Sequence, residues 1–140
     1  MNEEQTEPSK CALVIADDLP PGLAANAAAV LAATLGRHIP PLIGPDLPDA
    51  AGQYHTGLVT IPLPVLKADR AQIKSLRAQA AAAEGLFVVD VTETAQKART
   101  YPEYAQALAE TPADALVYLG VGLCGSKRPI MKLTGSLPLL

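Results

Sequence analysis

Six consecutive apolar residues, Cys11 to Ala16 (CALVIA), end abruptly at Asp17 and Asp18, and Leu19-Pro20-Pro21-Gly22 then turns the chain into an alanine-dense stretch, Leu23 to Arg37. An apolar run without alternation suits a strand covered on both faces, and covering both faces of a sheet requires helices on each side. The alanine stretch has no internal proline and predicts a helix, whose small side chains let its backbone pack closely against a sheet. Strand, turn and helix in that order commit the start of the chain to a layered α/β arrangement.

The remaining segments repeat this logic. Residues 38 to 56 contain Pro40, Pro41, Pro45 and Pro48 with Gly44 and Gly52, which predicts a long connection enclosing a short helical turn. Gly57 to Leu63 (GLVTIPL) has strand composition, and Pro62 and Pro64 place its end at a sheet edge or an exit. Asp69 is the expected N-cap of a helix carrying Ile73, Leu76, Ala80 and Ala83, stopped by Gly85. Leu86 to Val91 reads as a third strand, followed by a polar helical stretch from Thr92 that Pro102 interrupts. Ala115 to Leu123 reads as a fourth, bent or closely approached at Gly120, Gly122 and Gly125. A short helix around Pro129 to Leu133, a stop at Gly135 and the extended end SLPLL complete the chain. The expected fold is a three-layer α/β/α sandwich around a four-stranded mixed sheet, with residues 1–9 as a flexible leader and 10–140 as one domain.

Composition narrows the function. Eleven Lys and Arg against 14 Asp and Glu give a formal charge of −3, too few cations for the counterion release that drives binding to a long nucleic acid, so tRNA is not an expected partner. No apolar run reaches the roughly 20 residues that cross a bilayer. The start, MNEEQTEPSK, carries no targeting pattern, which makes the cytoplasm the expected location. The two cysteines, Cys11 and Cys124, read as buried thiols rather than a disulfide framework. His38 and His55 are too isolated for a metal site, and no cofactor motif is present. The alanine-rich helix and the proline-bearing strand both offer flat apolar surface suited to a homodimer.

Several residues carry chemistry at the expected loop positions. Asp17 and Asp18 lie where open α/β sheets bind ligands, and they either hold a cation and polarise water or simply cap and terminate elements. Gly22 and Asn26 stand at a helix N-terminus able to receive an anion, with a turn needing φ > 0 as the structural reading of Gly22. Lys67 follows the expected second strand and Lys127, Arg128 and Lys132 the fourth, forming a cationic pocket if those ends converge and a solvated edge if they do not. Thr134 and Ser136 accompany Lys132 in the segment KLTGS.

Two stretches carry a family likeness: Leu13 to Ala32, a strand leading through Asp18-Leu19 and a glycine into an alanine-rich helix, and Val117 to Leu140, with LGVG and then KLTGSLPLL. Both resemble the type II peptidyl-tRNA hydrolases. Together with LPVLKA at Leu63 to Ala68, the closing motif resembles a bacterial domain family of unknown function sharing that fold. The resemblance implies a four-stranded mixed sheet between helical layers and a metal-independent ester hydrolysis. The family's loop carries a Gly-Lys-Gly-Lys run where this chain has Gly22, Leu23, Ala24 and Ala25, so both lysines are missing. Its helix glutamine falls near Ala29, and its Gln-Asp pair falls on Thr92 and Glu93, ahead of an insertion through Thr94 to Glu110. Two functions follow as expectations. One is a module binding a small anionic ligand through Gly22, Asn26, Lys67, Lys132, Thr134 and Ser136. The other is an ester or amide hydrolase, with peptidyl-tRNA as a candidate substrate, in which Asp18 or Glu93 orients water.

Overall fold

The computed structural model describes residues 9–140. The apolar run is β1 (Lys10–Ala16), and the alanine stretch is α1 (Pro21–His38), opened by Pro21 in its first turn, where a missing N–H loses no hydrogen bond. The long connection holds one turn of 3₁₀ helix at Pro40–Leu42 and a small hairpin, β2 (Leu47–Pro48) with β3 (Tyr54–His55). Then come β4 (Val65–Ala68), α2 (Arg70–Ala82), β5 (Leu86–Thr92), α3 (Glu93–Lys97), α4 (Tyr101–Glu110), β6 (Tyr118–Gly125) and α5 (Lys127–Thr134). Residues 1–8 of the expected leader lie outside the described residues, whereas Ser9 is tied to the sheet end by its N–H on the Gly125 carbonyl at 3.1 Å.

The four-stranded sheet runs in the order β4-β1-β6-β5, with β1 parallel to β4 and β6 antiparallel to both β1 and β5. Consequently β1, β4 and β5 all end on one edge of the sheet, and α1, α2 and α3 all start there. Alternation along β1 divides the core. Cys11, Leu13 and Ile15 pack with Ala24, Ala27, Leu31 and Leu35 of α1; Ala12, Val14 and Ala16 pack with Ile73, Leu76 and Ala80 of α2 and Ile130 of α5. Helices therefore cover both faces of a mixed sheet.

The glycines of β6 set how closely α1 approaches. A Cβ on Gly122 would stand 2.9 Å from Val89 Cγ1 and 3.2 Å from Leu13 Cδ2, and one on Gly120 would stand 3.1 Å from both Ile15 Cδ1 and Leu31 Cδ1. Bare backbone at these two points lets the branched side chains of β1, β5 and α1 close over the centre of the sheet.

Four expectations are corrected. The second strand is β4 rather than Gly57–Leu63, which contributes only a bridge between Val59 and Ile43. Pro64 serves instead as an acceptor, its carbonyl taking the Leu13 N–H at 2.9 Å, so pairing starts one residue after the proline. Pro102 opens α4 rather than interrupting a helix. Gly22 lies inside the first turn of α1 and is absent from the positive-φ glycines, which are Gly52, Gly85 and Gly125. Cys11 and Cys124, directly opposed on β1 and β6, form a disulfide with S–S 2.06 Å. Their separation of 113 residues hides a contact that only strand register creates.

The closing motif has a structural role. The Thr134 hydroxyl is buried and donates to the Ile130 carbonyl at 2.7 Å, and a Cβ on Gly135 would meet the Met131 carbonyl oxygen at 2.6 Å. Past this tight turn, Lys67 donates its N–H to the Pro138 carbonyl at 2.9 Å and Leu140 donates to Val65 at 3.0 Å. The tail thus covers the otherwise open edge of β4.

Candidate functional site

The shared strand edge collects charge. Asp18 follows β1, Arg70 opens α2 behind its Asp69 cap, and Glu93 opens α3 directly after β5. Asp69 and Gln72 form a reciprocal capping box, the Asp69 side chain accepting from the Gln72 N–H at 2.8 Å, which fixes where Arg70 projects. Arg70 Nε lies 3.1 Å from Asp18 Oδ2 and its Nη1 donates to Glu93 Oε2 at 3.1 Å, while Lys97 Nζ donates to Glu93 Oε1 at 2.7 Å. Lys97 first, and Arg70 after it, hold the Glu93 carboxyl below the usual carboxylate range. The two carboxylates singled out from sequence therefore meet through one guanidinium. The missed members were Arg70 and Lys97; the only sequence signal of Arg70 was its place just after an N-cap.

The remaining sequence candidates do not join this cluster through any hydrogen bond or ion pair among the described residues. Gly22 and Asn26 are exposed on α1, Lys67 is exposed on β4, and Lys132 and Ser136 are exposed around the end of α5. Thr134 lines a separate cavity of about 160 Å³ with Lys10, Pro64 and Leu66.

A larger cavity, about 460 Å³, lies beside β5, the edge strand of the sheet. Val30 and Thr34 of α1 and Val89 and Val91 of β5 form its inner wall. Its outer wall is the segment after β5, with Ala95, Arg99, Tyr101 and Tyr104. Local hydrogen bonds shape the segment: Thr100 caps α4 by accepting the Glu103 N–H at 3.2 Å, and Glu103 Oε2 accepts the Arg99 N–H at 3.0 Å. The backbone of Arg99 is anchored in this way, whereas its side chain forms no ion pair among the described residues. Tyr101 and Tyr104 meet edge to face with centroids 5.7 Å apart.

Polar groups line the cavity floor. Burial first, then the charge of Asp90 and the neighbouring Tyr101, push the Tyr104 phenol above its ordinary value, partly offset by hydrogen bonding with Thr92. Asp90 is in turn held by Arg77, whose Nε stands 3.3 Å from Asp90 Oδ2 and whose guanidinium carbon lies 5.5 Å from the Tyr118 ring centroid. Among the described residues no cluster of three or more His, Cys, Asp or Glu is placed to hold a metal ion, and no helix is long and apolar enough to cross a membrane.

These features define a mixed α/β domain with helices on both faces of a four-stranded sheet and a cavity at one sheet edge walled by the helical segment of α3 and α4. Residues 9–140 match the sequence profile of the family described as "Protein of unknown function (DUF2000)". The chain belongs to that family. Among solved structures it is similar to a protein of unknown function from Agrobacterium tumefaciens strain C58, with a TM-score of 0.84 and 19% identity over 94% of this chain and 96% of the other. At that identity the likeness shows the fold. No curated protein matches the chain.

Proposed function

We propose that this protein is a binding module for a small anionic ligand, held in the cavity beside β5 rather than at the strand ends. The observation that carries this reading is that Arg99, itself exposed, is the one arginine or lysine on the cavity lining. Arg70 is engaged by Asp18 and Glu93 and Arg77 stands beside Asp90, whereas Arg99 lines a cavity of about 460 Å³ and has no carboxylate partner among the described residues. A planar guanidinium beside an apolar wall is the arrangement that fixes an anionic group while the rest of a ligand is buried. The absence of both hydrolase-type lysines at Leu23 to Ala25 supports binding over turnover.

The direct test is a thermal-shift screen of small carboxylates and phosphates on the wild-type protein and on Arg99→Gln, with Lys132→Gln as a control on the other cationic surface. A midpoint increase that Arg99→Gln abolishes and Lys132→Gln retains is expected. An increase that survives Arg99→Gln, or none with any anion at millimolar concentration, defeats the reading.

The hydrolase alternative draws on the likeness to type II peptidyl-tRNA hydrolases and on the meeting of Asp18 and Glu93. Both Glu93 oxygens already accept hydrogen bonds from cations, at 3.1 and 2.7 Å, which leaves the carboxylate poorly suited to take a proton from water. Cleavage of peptidyl-tRNA or of a simple ester that Glu93→Gln removes would establish it.

A further inference from the structure

Resting on the binding role proposed above, we infer that the cavity beside β5 takes a planar aromatic monocarboxylate. Three observations select this class. The first is the tyrosine pair at the outer wall. Tyr101 is 80% exposed and meets Tyr104 at an interplanar angle of 69°. An edge-to-face pair leaves the face of one ring open, and a third ring placed there gains stacking that an aliphatic body of the same size does not. The inner wall is apolar and built of small or branched side chains, Val30, Val89, Val91 and Ala95, so a flat body reaches it without displacing a bulky group.

The second observation is charge. Arg99 is the one arginine or lysine among the lining residues, and its planar fork matches the two oxygens of a carboxylate. Asp90 also lines the cavity, close enough to Tyr104 to act on its phenol. Asp90 is already paired with Arg77, so the single guanidinium of Arg99 balances one negative charge, and a phosphate dianion would leave its second charge uncompensated.

The third is hydrogen-bonding capacity away from Arg99. The Thr34 hydroxyl donates to the Val30 carbonyl at 3.1 Å and keeps acceptor capacity free, and the Tyr104 hydroxyl offers a further polar contact. A ring bearing a hydroxyl or N–H finds partners there, which distinguishes aromatic acids with a polar substituent from bare ones.

The experiment is titration calorimetry on the full chain with four probes: 2-naphthoate, the neutral 2-naphthamide, cyclohexanecarboxylate and phenyl phosphate. Tyrosine fluorescence supplies a second readout, since the chain has four Tyr and no Trp. The expected result is that 2-naphthoate binds tightest, that Arg99→Gln weakens it by roughly tenfold or more, and that Tyr101→Ala weakens it by about fivefold. Tyr101 is exposed enough for its substitution to leave folding intact. If cyclohexanecarboxylate binds as well as 2-naphthoate, or Tyr101→Ala has no effect while Arg99 still matters, the aromatic class is overturned and the anion-binding role stands. Tighter binding of phenyl phosphate overturns the monocarboxylate. Equal binding of 2-naphthamide, or no binding by any probe, overturns both readings.

Discussion

Gly122→Ala tests how the centre of the sheet is assembled. Gly122 sits in register between Leu13 on β1 and Val89 on β5, and the methyl group of an alanine would stand 3.2 Å and 2.9 Å from their side chains. Carbon pairs prefer about 3.5–4.0 Å, so both neighbours must yield by several tenths of an ångström, and neither valine nor leucine ends in a long flexible chain. Overpacking of this kind costs roughly 1–3 kcal/mol. Replacing glycine also removes about 0.4–1 kcal/mol of unfolded-state entropy, which leaves a net loss of about 1–2 kcal/mol. At this chain length that lowers Tm by roughly 3–8 °C. Val89→Ala in the same molecule removes the nearer obstacle, so the double variant should lose less than the sum of the singles by at least about 0.5 kcal/mol. Urea denaturation of the four proteins completes the cycle. An unchanged midpoint for Gly122→Ala, or strict additivity in the double variant, refutes the account of why β6 carries glycine there.

Three further predictions follow from other parts of the fold. Replacing both Cys11 and Cys124 with alanine opens a loop of 113 residues and should cost about 4–5 kcal/mol by loop entropy; equal urea midpoints with and without the bond, or two free thiols in the native protein by mass, would contradict the pairing. Because Lys97 and Arg70 lower the folded pKa of Glu93 from 4.5, its stabilising effect is present above the unfolded value and is lost as pH falls through the folded one. Glu93→Gln should therefore flatten the acid limb of a stability profile; an unchanged acid limb argues against the pairing. Asp90→Asn should bring the Tyr104 titration back towards the ordinary phenol value of 10.0, read by phenolate absorbance, because one of the causes raising it is removed. No movement would mean that burial and Tyr101 raise it without Asp90.

What the sequence disclosed follows the strength of each local signal. CALVIA and the alanine helix were legible because an unbroken apolar run and a proline-free alanine stretch each have one good solution in water. Asp69 was legible as a cap because a short side-chain acceptor suffices for that role at a helix start. The second strand was not, because Val65 to Ala68 is only four residues long and one of them is the exposed Lys67, whereas GLVTIPL has the better strand composition. Its placement is decided by pairing with β1 and by the tail on its other edge, both non-local. The disulfide was hidden for the same reason.

The segment from Thr94 to Glu110 offers a surface apart from the strand ends. Ligands of open α/β sheets usually settle at the carboxyl ends of the strands, and here that place is spanned by Arg70 reaching both Asp18 and Glu93. An arginine engaged twice has little left to offer an anion. Residues 94–110 contribute a second surface, standing against β5, whose outer edge has no neighbouring strand in the sheet order. The edge strand supplies one wall, α1 another through Val30 and Thr34, and this segment the third. Arg99, Tyr101 and Tyr104 all come from that third wall. Their chemistry was invisible in sequence because nothing in residues 94–110 announces which strand they will face. Deleting residues 94–110 should remove the thermal-shift response to anions while leaving the ion pair of Asp18 with Arg70 in place, and a response that persists in the deletion variant would refute the placement of the ligand there.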